Sequence, residues 1–290
     1  MSWRIVVISS SAKLDYQLGF LVVRKDITTR IHINDISILM IETTAVSITA
    51  ALLNELVKNK IKVIFCDEKR NPSSELIPYY GSHDTSIKVR KQTQWSIDDK
   101  KNIWTAVVGE KIRKQAEFLN ELGKVESDML LNYLEEMEYG DTTNREGHAA
   151  KVYFNALFGL QFTRSEDNPI NAALNYGYSI ILSAVNREIV SNGYITQIGL
   201  FHDNMFNPYN LGSDLMEPFR ILVDRKVYHM KPQIFEHGEK IDMVNLLNEE
   251  IYIDGRKEVI NNAIKIYCKS IFDALDEKDI SLIKFYRNEL

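Results

Sequence analysis

The spacing of the apolar residues changes once along this chain of 290 residues. Before residue 85, β-branched and other apolar residues form short runs separated by Ser, Gly, Asp or Asn, which is typical of β-strands. Because the runs are short and consecutive, we expect the strands to pair antiparallel. The predicted strands are Arg4–Ile8, Phe20–Arg24, Thr29–Ile33, Ile36–Ile41 and Lys62–Cys66.

One helix is predicted between the last two of these strands. Ser47 precedes a run in which apolar residues recur at three- and four-residue spacing. Serine is a preferred residue at the N-cap of a helix, so Ser47 is the predicted cap. The apolar positions are Ile48, Leu52, Leu53 and Leu56.

The second part of the chain has the helical period instead. Apolar residues align on one face at Ile103, Val107, Val108 and Ile112, and the pattern recurs near residues 130 and 180. A chain of this length usually divides into two domains. We therefore predict an α+β fold with a small β-rich, β-sandwich-like domain over residues 1–85 and a larger all-α helical domain over residues 86–290. Turn-forming residues place the linker at about residues 70–95.

The charge balance argues against a general polyanion binder. The chain holds 35 Lys and Arg against 40 Asp and Glu, a formal net charge of −5. Residues 1–90 hold 12 basic and 9 acidic residues, whereas residues 91–290 hold 23 and 31. A DNA contact is therefore not excluded, and the basic excess of the first part is compatible with one.

Several common kinds of site have no signature here. Cys66 and Cys268 are too few for a disulfide scaffold and are expected to be reduced structural thiols. No apolar run approaches the ~18 residues of a membrane span, so we expect a soluble cytoplasmic protein. The sequence contains no P-loop, no dinucleotide-binding glycine motif, no nucleophile elbow and no HExxH helix.

Three separate segments carry candidate metal ligands. The first contains Glu146 three residues after Thr143, the second contains His202, and the third contains Asp214 and Glu217. Each has an ordinary structural interpretation: two capping boxes, Thr143 with Glu146 and Asp214 with Glu217, and a histidine with its hydrogen bonds satisfied.

Taken together, these side chains supply carboxylate oxygens and one imidazole. This donor set suits Mg²⁺ or Mn²⁺ better than a closed zinc site. Such an ion can polarise a phosphate and activate a hydroxyl, so phosphodiester chemistry is one of several activities that remain open. The alternatives are a metallohydrolase of small phosphoesters and a non-catalytic scaffold for DNA ends or proteins whose carboxylates only cap helices.

Four longer motifs surround these residues: NREGHAA at 144–150, PINAALNYGY at 169–178, GLFH at 199–202 and SDLMEPFR at 213–220. In this order they resemble the family of CRISPR-associated protein 1, the integrase that inserts new spacers into CRISPR arrays. The resemblance covers nearly the full length. Trp3-Arg4, VIFCD at 63–67 and YGSHD at 80–84 are most similar to the type II-A branch.

The resemblance implies a set of site residues. Glu146, His202 and Glu217 would hold Mg²⁺ or Mn²⁺, with Asp214 around the ion or in direct contact with it. Many relatives have Asp at the position of Glu217, which leaves open which of Asp214 and Glu217 is the ligand. We interpret His148 as structural and assign no catalytic role to Asn175, Tyr176 and Tyr178.

Basic residues near these motifs are candidate phosphate or DNA contacts. Arg220 and Arg145 lie beside proposed ligands in the sequence, where a helix-surface salt bridge is the alternative. Lys88, Arg90 and Lys91, with Trp95 nearby, are weaker candidates for following a DNA backbone, and a solvated linker is the alternative there.

The resemblance also implies the reaction and the partners. A 3′-hydroxyl of captured double-stranded DNA would attack a phosphodiester at the end of a repeat, without nucleotide hydrolysis. The protein would form a homodimer through the β-rich domain, with the helical domain catalytic. Two dimers would flank a dimer of CRISPR-associated protein 2 in a heterohexamer. The type II effector nuclease and the type II-A accessory subunit are further expected partners.

Overall fold

The computed structural model describes residues 4–78 and 82–287. Trp3, Tyr80 and Gly81, which carry part of the type II-A resemblance, lie outside the described residues. Within the described residues, the strand-rich part contains one α-helix, α1 (Ala50–Lys58), and a short 3-10 helix, Ile33–Asp35. Its strands are β1 (Arg4–Ile8), β2 (Ala12–Gln17), β3 (Phe20–Arg24), β4 (Thr29–His32), β5 (Ile36–Ile41), β6 (Val46–Ile48), β7 (Lys62–Cys66) and β8 (Pro72–Leu76).

These strands form two four-stranded sheets, ordered β1-β5-β7-β8 and β4-β3-β2-β6. The expectation of antiparallel pairing is wrong for three pairs, because β1 with β5, β5 with β7 and β2 with β6 are parallel. The chain leaves the first sheet after β1, builds β2 to β4 in the second sheet and returns as β5. Such a crossover lets neighbouring strands run in the same direction.

Strand β5 shows how the first sheet is buried on both faces, since all six of its residues are buried. Leu39 and Ile41 belong to the core between the two sheets. Ile38 and Met40, which point to the opposite face, belong to the core of the helical part. The first sheet therefore lies between the second sheet and the helices, and the alternation of the strand supplies both cores.

The helical part begins within the predicted linker. The region of residues 70–95 contains β8 and the first helix of this part, and the division into two domains stays a prediction. The helices are α2 (Thr85–Thr93), α3 (Ile97–Glu121), α4 (Glu126–Glu135), α5 (Arg145–Phe158), α6 (Pro169–Ser191), α7 (Asn210–Leu215), α8 (Arg220–Met230), α9 (His237–Asn245) and α10 (Ile260–Glu277).

Local signals account for several element boundaries. Ser96 begins α3 by accepting a hydrogen bond from the Asp99 amide at 3.0 Å, and Asn168 caps α6 in the same way. The cap of α1 is Thr49 and not Ser47, which lies in β6. The predicted cap was displaced by two residues because β6 continues the pairing with β2 up to Ile48.

The α+β fold class is confirmed, with one addition to the helical part. Strands β9 (Glu250–Ile253) and β10 (Arg256–Val259) form an antiparallel hairpin. Its turn is Asp254-Gly255, and both residues have positive φ, 54° and 73°. Asp-Gly is the pair that a two-residue hairpin turn favours. Among the described residues, no helix is long and apolar enough to cross a membrane.

Candidate active site

A cavity of about 300 Å³ in the helical part brings together the three residues predicted to hold a metal. Glu146 lies at the start of α5, His202 follows α6, and Glu217 begins the short 3-10 helix Glu217–Phe219. These residues are far apart in sequence, and they line the same cavity. Helix α3 packs against α5, α8 and the 3-10 helix, which brings Glu146 and Glu217 to the same cavity.

Asp141, and not Thr143, caps the helix that carries Glu146. Its carboxylate accepts hydrogen bonds from the Arg145 amide at 2.7 Å and the Glu146 amide at 3.1 Å. The Thr143 hydroxyl is buried and has no hydrogen-bond partner among the described residues. The capping box predicted as the ordinary interpretation is therefore absent, and the Glu146 side chain contacts Lys111 instead.

Glu217 is buried and held by two cations. Its Oε1 accepts a hydrogen bond from Arg220 Nε at 2.8 Å, and its Oε2 accepts one from Lys111 Nζ at 2.5 Å. Burial alone would raise the pKa of Glu217, but the charges of Arg220 and Lys111 outweigh burial and lower it to about 2. Glu217 is therefore an ionised carboxylate inside the protein.

Asp214 has a different environment, because it is fully buried and does not line the cavity. Its oxygens accept hydrogen bonds from the backbone amides of Leu200 at 2.6 Å, Phe201 at 3.1 Å and His202 at 3.2 Å. It lies in α7 and does not form the predicted capping box with Glu217. Asp214 thus fixes the loop that carries His202.

The same carboxylate orients the imidazole. Asp214 Oδ1 lies 2.5 Å from His202 Nδ1, so Nε2 is the ring nitrogen without a hydrogen bond to a described residue. The hydrogen bond to Asp214 raises the pKa of His202 more than partial burial lowers it. A carboxylate behind one ring nitrogen is the usual support of a histidine whose other nitrogen binds a metal.

Lys111 is the main site residue that the sequence analysis did not find. Its Nζ contacts both Glu146 and Glu217, so the two carboxylates face each other across one cation. Burial alone would lower the pKa of Lys111, but the two carboxylates outweigh it and raise the pKa. The signal in the sequence was a lysine on the buried face of α3, at helical spacing from Trp104 and Val108.

The described residues contain no ready-made cluster of three His, Cys, Asp or Glu side chains in metal-binding arrangement. Lys111 lies between the two carboxylates that would belong to such a cluster. The donor chemistry nevertheless fits a divalent ion, since two carboxylates already surround one positive charge beside an imidazole whose Nε2 has no hydrogen bond to a described residue.

The predicted phosphate contacts separate into two groups. Arg220 lines the cavity and lies over the ring of Tyr178 at 4.6 Å. Arg145 does not line it, because its Nη2 pairs with Glu136 at 2.9 Å on the helix surface. Exposed His148 contacts the Tyr133 ring at a centroid distance of 6.1 Å and does not line the cavity either.

The basic residues of α2 lie away from this cavity. Lys88 and Lys91 pair with Asp276 at 3.3 and 3.2 Å, and exposed Arg90 lines no part of the cavity. Trp95 packs against Tyr194 at a centroid distance of 5.6 Å. A role of α2 in DNA binding stays a prediction.

Arg164, in the loop between α5 and α6, is a second cation that sequence reasoning missed. It lines the cavity, and its guanidinium donates to the side-chain oxygen of Asn175 at 2.5 Å and to that of Asn171. Asn175 therefore holds an arginine at the cavity. Tyr176, in contrast, packs in the core with its hydroxyl 3.5 Å from Met40 Sδ.

Asp224 is a third carboxyl group at the cavity and is buried, and Tyr178 donates a hydrogen bond to it. Burial is the largest influence and raises the pKa of Asp224 from 3.8 to about 6. The folded protein therefore binds more protons than the unfolded chain between these two values. This group lowers the stability of the fold as the pH rises through that interval.

We expect Asp224→Asn to be more stable than the native chain at pH 8 by about 3 kcal/mol, and the difference to vanish near about pH 3, below both pKa values of Asp224. The amide removes the cost of a buried negative charge and still accepts from Tyr178. Urea unfolding of both proteins at several pH values measures the difference. A difference that does not change with pH would contradict the raised pKa.

A family model and a similar protein assign this chain to the same family. The family model described as CRISPR associated protein Cas1 matches residues 5–251. A protein of Neisseria meningitidis serogroup C (strain 8013), named CRISPR-associated endonuclease Cas1, is 36% identical over 291 residues. The alignment covers 98% of this chain and 96% of that protein.

Solved structures share the fold at low sequence identity. A casposase bound to an integration product has a TM-score of 0.77 at 17% identity, covering 97% of this chain and 92% of its own. A chain of a Cas6-RT-Cas1–Cas2 complex has a TM-score of 0.73 at 18% identity, covering 97% of this chain. This chain spans 36% of the length of that one.

Proposed function

This chain belongs to the CRISPR-associated Cas1 family, and on that premise we propose that it is a divalent-metal-dependent DNA endonuclease and integrase of spacer acquisition. In the proposed reaction, the 3′-hydroxyl of a captured DNA fragment attacks a phosphodiester at the end of a CRISPR repeat. One phosphodiester replaces another, so no nucleotide hydrolysis is needed. The relative named endonuclease and the structural neighbour bound to an integration product both support this proposal.

The observation that carries the proposal is the pair of carboxylates around one positive charge. Glu146 and Glu217 come from distant segments and contact the same cation beside His202. Neither carboxylate caps a helix, so the interpretation that they act only as helix caps loses its basis. Glu217 is instead an ionised carboxylate that faces the cavity.

The proposed metal ligands are Glu146, His202 and Glu217, and the ion is Mg²⁺ or Mn²⁺. Bound there, a divalent ion would polarise the phosphodiester and stabilise the leaving oxygen. Asp214 is proposed to position His202 and not to contact the ion. Its oxygens already accept hydrogen bonds from three backbone amides and from the imidazole. Glu217, which faces the cavity, is the better candidate for direct contact.

The residues of the chain itself would bind and orient the DNA at this cavity. Arg220 and Arg164 line it and present guanidinium groups that match phosphate oxygens. Arg220 donates a hydrogen bond to Glu217, and Arg164 donates one to Asn175. Both guanidinium groups are therefore oriented before DNA binds. Arg145 is committed to Glu136 and is not part of this proposal.

The assembly is proposed from the family and the structural neighbours. A Cas1–Cas2 complex is among the matched structures, and we propose a Cas2 dimer as the partner. In this arrangement, two dimers of the present chain flank the Cas2 dimer in a heterohexamer in the cytoplasm. Each of these two dimers is joined through residues 1–85. The type II-A assignment, with its effector nuclease and accessory subunit, remains a prediction. Assembly would also supply the basic DNA surface that a chain of net charge −5 lacks.

A strand-transfer assay tests the proposed function. A labelled short duplex, a plasmid with leader and repeat, Cas2 and either Mg²⁺ or Mn²⁺ are incubated with the native chain. We expect joining of the labelled strand to the plasmid at the repeat ends. Turnover of a small phosphoester without DNA would instead support the metallohydrolase alternative, and DNA binding without transfer under any metal would support the scaffold.

A further inference from the structure

Helix α2, the first helix of the helical part, buries a polar side chain. All nine of its residues are described, and among them only Gln92 is buried, with 1% of its surface exposed. Ile87, the larger of the two apolar residues of α2, is 58% exposed. The contacts of Gln92 therefore show what this helix is docked against.

The side chain of Gln92 makes three hydrogen bonds to described residues, and all three go to one short segment. Its Nε2 donates to the carbonyl oxygens of Ile195 at 2.8 Å and Ile198 at 3.0 Å. Its Oε1 accepts from the Ile195 amide at 3.0 Å. This segment lies between α6 and α7 and belongs to no helix or strand. Gln92 thus satisfies backbone groups that no helix or strand pairs.

The segment continues directly into the His202 loop, defined here as residues 199–204. A Cβ at Gly199 would lie 2.4 Å from the His202 carbonyl oxygen and 2.7 Å from Asp214 Oδ2, so the turn after Ile198 has no room for a side chain. The next three amides, from Leu200 to His202, donate to Asp214. A displacement of Ile198 therefore moves this turn against the carboxylate that orients the imidazole.

Asn210 supports the same loop from another helix. Its Nδ2 donates to the carbonyl oxygens of Gln197 at 3.0 Å and Asn204 at 3.1 Å, and its Oδ1 accepts from the Asn204 amide at 3.3 Å. Asn210 belongs to α7, as Asp214 does. Among the hydrogen bonds between described residues, those of Gln92 are the ones that join α2 to residues 195–204.

We propose that Gln92 is a positioning residue of the active site, which makes the docking of α2 and the order of the His202 loop one event and so holds the imidazole where a divalent ion binds. The proposal rests on the proposed function for the role of His202 as a metal ligand. A residue that acts only on stability leaves the metal affinity of the folded protein unchanged. A positioning residue sets the fraction of molecules in which His202 is in place, and the dissociation constant rises as that fraction falls.

Electron paramagnetic resonance of Mn²⁺ tests the positioning in the full-length chain without DNA. Methionine keeps the length of the glutamine side chain but makes none of its three hydrogen bonds. We expect Gln92→Met to raise the dissociation constant of Mn²⁺ roughly 10- to 100-fold, the usual effect of losing a residue that orients a metal ligand. An unchanged dissociation constant in folded Gln92→Met would overturn the proposal.

Gln94→Met is the matched control, because it is the same substitution two residues further on, at an exposed position. This variant should bind Mn²⁺ with the native dissociation constant. A thermal melt of both variants sets the temperature of the titration well below unfolding. Equal weakening of Mn²⁺ binding in Gln92→Met and Gln94→Met would also overturn the proposal.

Hydrogen exchange of the native chain tests the coupling without any variant. Linkage is reciprocal, so an ion that needs the ordered loop must also stabilise the docked α2. We expect Mn²⁺ at 100 times its dissociation constant to slow exchange in a peptide of residues 85–93 roughly 10- to 100-fold relative to chelator. A peptide of residues 237–245 from α9, which does not line the cavity, should exchange equally in both conditions. Unchanged exchange in α2 would overturn the coupling.

His202→Ala separates failure of this inference from failure of the proposed function. We expect it to weaken Mn²⁺ binding, as Gln92→Met does. If His202→Ala weakens binding and Gln92→Met does not, His202 is a ligand that Gln92 does not position, so the inference fails and the proposed site stands. If neither variant changes Mn²⁺ binding, His202 is not a ligand, and the proposed site fails together with the inference.

Discussion

Glu217→Gln and Glu146→Gln are each expected to lower strand transfer by at least about 100-fold while the protein stays folded. Glutamine keeps the length and most of the hydrogen-bonding capacity of each side chain but removes the negative charge that a divalent ion requires. The measurement is the initial rate of strand transfer in Mn²⁺, with a thermal melt of each variant. Glu136→Gln is the control, because the Glu136 carboxylate is exposed and pairs with Arg145. This variant should catalyse strand transfer at the native rate.

The two variants differ in what they do to the fold. Glu217 is buried against Lys111 and Arg220, so its loss leaves two cations close together and lowers stability. Glu146 is 29% exposed and pairs only with Lys111 among the described residues, so Glu146→Gln should melt close to the native chain. Normal transfer by a folded Glu146→Gln would therefore contradict the proposed site, whatever happens to Glu217→Gln.

Much of the fold was accessible from the sequence because the relevant signals are local. Strands β3, β5 and β7 were predicted with their observed ends, since each is a β-branched run bounded by turn residues. The parallel pairing was not predicted, because it depends on a crossover between sheets that no local pattern encodes. Strand β8 was missed for a similar reason: only its pairing with β7 makes Pro72–Leu76 a strand.

The site was accessible only in part. Spacing alone left Glu146 and Glu217 open as members of capping boxes. Donor chemistry made them candidate ligands of one ion, and the resemblance implied that they hold it. The sequence does not predict Asp141 as the cap, because its carboxylate reaches the Arg145 amide only through a turn in which Asn144 has φ 54°. Lys111, Arg164 and Asp224 are defined by tertiary contacts. For Lys111 and Asp224 the sequence holds one signal, a charged residue on the buried face of a helix, whereas Arg164 lies in a loop and has no such signal.

Lys111→Met is expected to lower the free energy of unfolding by about 3 kcal/mol when divalent ions are removed by a chelator. Methionine fills the space of the lysine stem but leaves Glu146 and Glu217 facing each other without the cation between them. This loss of unfolding free energy is at the low end for a broken buried ion pair, because Glu146 is 29% exposed and water can hydrate its carboxylate. Urea unfolding of both proteins in chelator measures it.

Divalent ions should reverse the loss, because an ion that binds only the folded protein stabilises it in proportion to its occupancy. In the native chain the ion competes with Lys111 for the same carboxylates, so Mn²⁺ should raise the melting temperature of Lys111→Met more than that of the native chain. The double variant Lys111→Met/Glu146→Gln should recover stability in chelator, since one of the two facing charges is gone. If Lys111→Met melts like the native chain in chelator and does not respond to Mn²⁺, the two carboxylates do not share a cation, and the proposed metal site fails with them.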